Sequence, residues 1–151
     1  VKVSMIECLC IIEKDNFPAL LRVYSGGKDL NKYHYMCYCA IDIFEEKEQA
    51  ARAGGVGKQV DSYLGTLYPA QEHKIHGYIT NTGVRMVMIL DEKDGKDGSL
   101  VKAFFKKLHS LHAECVSNPF HRDGQPIVSK KLERDLEALV RLWNSDAFSL
   151  R

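Results

Sequence analysis

The chain has little proline, almost no excess charge and no long apolar run. Four prolines in 151 residues leave no Pro-rich linker, and no repeat or low-complexity tract marks a second domain. Residues 1–151 are read as one domain, long enough to bury a real core. A net charge of +1 removes the electrostatic case for nucleic acid or an anionic membrane as main partner. No apolar stretch approaches the roughly 20 residues that span a bilayer, so no direct membrane insertion is expected. No signal peptide is visible, although the chain opens on Val1. The five cysteines include no CxxC pair, and a chain of this size does not need disulfides. They read as reduced thiols in a cytosolic protein.

What is present is globular: 45% hydrophobic and 27% charged residues. Val1 to Ile12 reads as a strand that is apolar on both faces. Val1, Val3, Met5, Leu9 and Ile11 share one face; Ile6, Cys8, Cys10 and Ile12 share the other. Such a strand belongs in a sheet interior, covered on both sides. Asp15-Asn16 supplies turn chemistry, and Pro18 to Tyr24 returns as a second strand. Tyr33 to about Ala53 is predicted to be a helix. Its apolar stripe is Tyr33, Cys37, Ala40, Ile41 and Phe44, flanked by Met36 and Ile43, and Gly54-Gly55 ends it.

Three strand-like segments follow from Tyr63 to Leu90, separated by Pro69 and by the turn signal Asn81-Thr82-Gly83. Leu100 to Val116 reads as a helix with an unusually wide apolar arc, which predicts contact with two elements. A third helix starts at Ser129, a natural N-cap. Its narrow stripe of Leu132, Leu136, Leu139 and Trp143 predicts a single neighbour. The order β-β-α-β-β-β-α-α predicts an α+β domain: a five-stranded antiparallel sheet with one helix on one face and two on the other.

No motif for catalysis or cofactor binding survives inspection. The segment Ala53 to Lys58 has Arg52 where a phosphate loop needs its first glycine, and Gln59 follows the lysine. It also ends a helix instead of starting one. His109 and His112 are three apart on a helix, but no spaced third and fourth ligands accompany them. His73 and His76 should face opposite sides of their strand. Asp91, Asp94 and Asp97 match neither register of a calcium loop. Cys8, Cys10 and Cys37 read as small apolar core residues. The chain is therefore read as a non-enzyme with no cofactor and no metal.

The outer face of the first helix carries the working hypothesis. Tyr35, Tyr38, Asp42, Glu46 and Gln49 cluster opposite the buried stripe. At 100° per residue, Asp42 lies about 180° from Tyr33 and about 160° from Phe44. Two tyrosines beside carboxylates on a solvent face have the composition of a protein interface. The alternative is a solvated face whose tyrosines pack on their neighbours.

Four blocks in order resemble the sedlin-like small subunits of the TRAPP vesicle-tethering complex, and closest among them the subunit-2-like branch. They are His34-Tyr35-Met36 with Ile41-Asp42 and Glu46-Lys47; Tyr63 to Pro69; Lys74 to Asn81 with Val84 to Asp91; and Phe105 to His109 with Asn118-Pro119-Phe120. The resemblance implies a longin-like (profilin-like) domain. It implies a non-catalytic adaptor or assembly subunit in ER-to-Golgi and Golgi vesicle transport. It would be cytoplasmic and peripheral at Golgi and endoplasmic reticulum, with other TRAPP subunits as partners. The complex as a whole activates a Rab GTPase, so the Rab is an indirect partner. The family's helix-one aspartate matches Asp42. The loop Ser25 to Asn31 and the tail beyond Trp143 follow no family pattern. Two rival readings remain: the longin regulatory domain of another trafficking protein, of the SNARE type, and a small profilin-like ligand sensor or enzyme.

Overall fold

A computed structural model describes residues 6–13, 15–24, 30–53, 63–70, 73–80, 82–91, 98–119, 127 and 129–145. The elements run β1 (Ile6–Ile12), β2 (Pro18–Val23), α1 (Leu30–Ala53), β3 (Tyr63–Ala70), β4 (His73–Ile79), β5 (Arg85–Asp91), α2 (Gly98–Val116) and α3 (Lys130–Asn144). The chain is thus of mixed α+β class. The sheet order is β2-β1-β5-β4-β3, and every neighbouring pair is antiparallel. The chain leaves the sheet at one edge through β2, forms α1, and re-enters at the other edge through β3.

Two tight turns use residues suited to positive φ. Asn16, at φ 66°, turns β1 into β2, a conformation asparagine tolerates better than most residues. Gly83, at φ 88°, turns β4 into β5. There the Val84 amide donates to Thr80 Oγ1 at 3.0 Å, and the Thr80 amide donates to the Val84 carbonyl at 2.9 Å.

The strands β1 and β5 sit inside the sheet and are apolar on both faces, so each supplies both core layers. On one face Cys8, Cys10, Ile12, Val87, Ile89, Ile75 and Leu67 pack against Tyr33, Met36, Cys37, Ala40 and Phe44 of α1. On the other, Leu9, Ile11, Met86, Met88 and Leu90 pack against Phe104, Phe105 and Leu108 of α2 and Leu136, Val140 and Trp143 of α3. Phe104 meets Trp143 edge-on at 5.4 Å between centroids, and Tyr78 stacks on Phe105 at the same distance. Such aromatic pairs add to plain area burial.

Two expectations need correction. Ile6 does not share a face with Cys8. The β1–β5 register shifts between Ile6 and Cys8, and this bulge turns Ile6 into the α2–α3 layer with Leu9. The third helix does not have a single neighbour. Its buried residues Leu132, Leu136, Leu139, Val140 and Trp143 touch both α2 and the sheet, and the Ile6 amide donates to Asn144 Oδ1 at 2.9 Å. The Ser129 side chain accepts from the Leu132 amide at 3.2 Å, while Glu133 pairs with Arg22 of β2. Residues 1–5 of the expected first strand, the glycine segment 54–58, Asp94 and Asp97, most of the loop 25–31 and the tail 146–151 lie outside the described residues.

Candidate protein-interaction surface

Helix α1 sorts its residues cleanly. Tyr33, Met36, Cys37, Ala40 and Phe44 recur at three- and four-residue steps and are buried against the sheet. The opposite face holds all five candidate residues, and all five are exposed: Tyr35, Tyr38, Asp42, Glu46 and Gln49. Their steps of three, four, four and three residues place them in one column about 21 Å long. Tyr35 is 70% and Tyr38 57% exposed. Among the described residues, only Leu142 joins them as a large exposed apolar side chain.

The two tyrosines differ in setting. The Tyr35 hydroxyl hydrogen-bonds the Cys39 side chain one turn on, which raises its pKa. Tyr38 borders a small recess with His34 and Ile41 of α1 and Pro18 and Leu21 of β2. Its ring therefore sits where the helix meets an edge strand. Ile127 donates its amide to the Ala19 carbonyl of that strand at 2.8 Å, so part of the β2 edge is already paired. The lower column is acidic through Asp42 and Glu46. Their neighbour Glu48 is not part of it, because it turns inward to Arg85.

The histidines go to separate places. Nδ1 of His73 contacts a carboxylate oxygen of Glu7 in a largely buried setting, with the Tyr33 ring edge-on at 6.0 Å. Burial pushes the Glu7 carboxyl above its ordinary pKa, and His73 opposes that shift. His73 shares a strand face with Ile75 of the α1 layer, whereas His76 lies on the face of Tyr78. His112 is buried 3.7 Å from Glu13, while His109 tilts against Tyr78. The two helical histidines are directed at different neighbours.

A second surface was missed by inspection of the sequence. Lys107, Ser110 and Leu111 of α2 and Asp135, Ala138, Leu139 and Leu142 of α3 line an open groove of about 400 Å³. The signal was Leu142, 43% exposed, which lies off the buried stripe of α3. Among the described residues, no helix is long and apolar enough to cross a membrane.

Comparison with known proteins adds what geometry alone does not. The family model described as Sedlin matches residues 11–142. A trafficking protein particle complex subunit 2-like protein of Dictyostelium discoideum is 38% identical over 141 residues, covering 89% of this chain and 96% of its own. That of Xenopus tropicalis is 32% identical over 138 residues, covering 90% and 97%. Trafficking protein particle complex subunit 20 of Saccharomyces cerevisiae is 26% identical over 94 residues, covering 60% of this chain and 54% of its own. The matched span runs from β1 to α3 and includes the whole exposed column of α1. This chain belongs to the sedlin family.

Proposed function

We propose that this chain is a non-catalytic adaptor or assembly subunit of a trafficking protein particle complex, and that the outer face of α1 docks a neighbouring subunit. The single observation that carries the surface is the column Tyr35, Tyr38, Asp42, Glu46 and Gln49. Two rings that rank among the most exposed apolar side chains stand at one end of an otherwise polar helix face. Aromatic anchors beside carboxylates are the usual content of an interface hot spot. The relatives carry the identity of the assembly, since their names are those of complex subunits. In this reading the whole chain, 1–151, is one longin-like domain. It works in ER-to-Golgi and Golgi transport, in the cytoplasm and peripheral to both membranes. It supports Rab activation by the complex without touching nucleotide itself.

Asp42→Tyr and Tyr38→Ala test the surface. Both sites are exposed, so each should change stability by no more than about 0.5 kcal/mol. Loss of an interface anchor should cost about 2 kcal/mol of binding, roughly 30-fold in affinity. Thermal unfolding and co-purification of partner subunits, measured on the same variants, separate the two effects. Partners retained at wild-type levels would sink the α1 surface and move attention to the α2–α3 groove. Unfolding of the variants would mean that Asp42 is structural.

A further inference from the structure

The exposed column of α1 carries uncompensated charge of one sign. Between Tyr35 and Gln49 its outward charges are Asp42, Glu45 and Glu46, although the whole chain has a net charge of +1. Among the described residues, no cation stands within ion-pair distance of Asp42 or Glu46. Glu45 accepts from the Asn16 side chain, a neutral donor. Glu48, on the flank of the helix, already has Arg85. Lys47 is the one basic residue in this stretch and is half-buried. It lies about 100° round the helix from Glu46 and about 140° from Asp42.

An exposed carboxylate by itself is well solvated and needs no partner. Here the carboxylates adjoin an aromatic ring. Tyr38, 57% exposed, stands four residues before Asp42, and Asp42 four residues before Glu46, so the three follow one another at steps of about 6 Å. A ring face and a carboxylate at this spacing suit a guanidinium. It is planar, stacks on a tyrosine ring and directs its fork of N–H donors at a carboxylate beside it. A lysine ammonium offers the charge without the plane. An apolar segment would leave both carboxylates covered and unpaired, which is costly. The α2–α3 groove does not share this chemistry, since it sets Lys107 and Asp135 among leucines.

Resting on the docking role proposed above for this face, we infer that α1 takes an arginine-bearing segment of the neighbouring subunit, with two guanidinium groups about 6 Å apart. One lies on the Tyr38 ring and pairs with Asp42; the next pairs with Glu46. Arginines one turn apart on a helix, or two residues apart on an extended strand, meet that spacing. Attraction between the acidic column and such a segment speeds docking. Salt weakens it, because exposed charges are screened beyond about 8 Å at physiological ionic strength.

The test measures binding of the full chain to the purified complex assembled without it, over a series of salt concentrations. Asp42→Asn combined with Glu46→Gln removes both charges and keeps both shapes. This variant should bind about 10-fold more weakly at low salt, with a flatter salt dependence than wild type. Glu137→Gln, an equal change of charge per site on the exposed side of α3, should bind like wild type. Gln49→p-benzoylphenylalanine, photolysed in the assembled complex, should link to a peptide with two arginines at one of the two spacings. Tyr38→Ala separates two kinds of failure. If it weakens binding while the Asn/Gln variant binds like wild type, α1 docks through its rings and the arginine assignment is overturned. If neither variant changes binding, the docking role of α1 falls and the assignment falls with it. Equal weakening by Glu137→Gln, or a linked peptide without arginine, also overturns the assignment. Wild-type affinity indifferent to salt does so without any variant.

Discussion

Arg85 of β5 and Glu48 of α1 hold the helix to the sheet by a partly buried charge pair: Nη2 of Arg85 stands 3.2 Å from each carboxylate oxygen of Glu48. The same guanidinium donates to Asn16 Oδ1 in the β1–β2 turn and lies 5.9 Å from the centre of the Phe44 ring. Asn16 in turn donates to Glu45 at 3.2 Å. One arginine therefore joins a central strand, a hairpin turn and the helix that presents the candidate surface. Glu48→Ala should cost about 2–3 kcal/mol. Removing one partner of a buried pair costs roughly 3–5 kcal/mol, and the partial exposure of Glu48 lowers that figure. Denaturant unfolding measures it; a loss below about 0.5 kcal/mol would mean the pair behaves as a surface ion pair.

Phe104 is fully buried and packs edge-on against Trp143. Phe104→Ala should destabilise by about 3–5 kcal/mol, the usual range for a core aromatic. The same denaturant titration reads it out, with an unchanged slope if the transition remains two-state.

Gly77 lies where β4 passes beneath Leu67 of β3. A Cβ built there would stand 2.6 Å from Leu67 Cδ2 and 2.8 Å from its Cγ. Because Cγ is not the free end of the side chain, a rotation of the tip does not relieve the clash. Gly77→Ala should cost about 1–3 kcal/mol by overpacking. Gly77→Ala combined with Leu67→Ala should recover part of the loss attributed to the clash, in a double-mutant cycle. Strict additivity of the two changes would refute the contact.

Tyr24 follows β2, and burial pushes its hydroxyl up to about 12. Below pH 10 both folded and unfolded chains carry the neutral phenol. As the pH rises from about 10 towards 12, the unfolded chain releases the proton first, so unfolding becomes more favourable. Stability contributed by the neutral, buried phenol is present below this window and lost through it. Tyr24→Phe should lose less stability than wild type between about pH 10 and 12. Parallel pH–stability curves for the two proteins would show that Tyr24 titrates alike in both states.

What the sequence determined by itself were the properties set by neighbours along the chain. The phase of α1 is one. Tyr33, Cys37, Ala40 and Phe44 are buried and Tyr35, Tyr38, Asp42, Glu46 and Gln49 exposed, because a 3.6-residue period converts spacing directly into facing. The N-cap at Ser129, the turn at Gly83 and the two-sided burial of β1 were legible for the same reason. Tertiary structure alone decided whatever depends on residues distant in sequence meeting in space. A register shift between Ile6 and Cys8 turned Ile6 into the opposite core layer, and no one-strand pattern contains the partner strand that imposes it. Arg85 reads as an interruption in an apolar run until Glu48 stands beside it. Glu7 and His73 are brought together across the sheet. Cys8 and Cys10 share one buried layer with Cys37 only because α1 packs onto that face of the sheet. Local periodicity fixes which way a side chain points; only the packing of α1 onto β1 and β5 determines what it meets there, and the chemistry of the buried layer resides in those meetings.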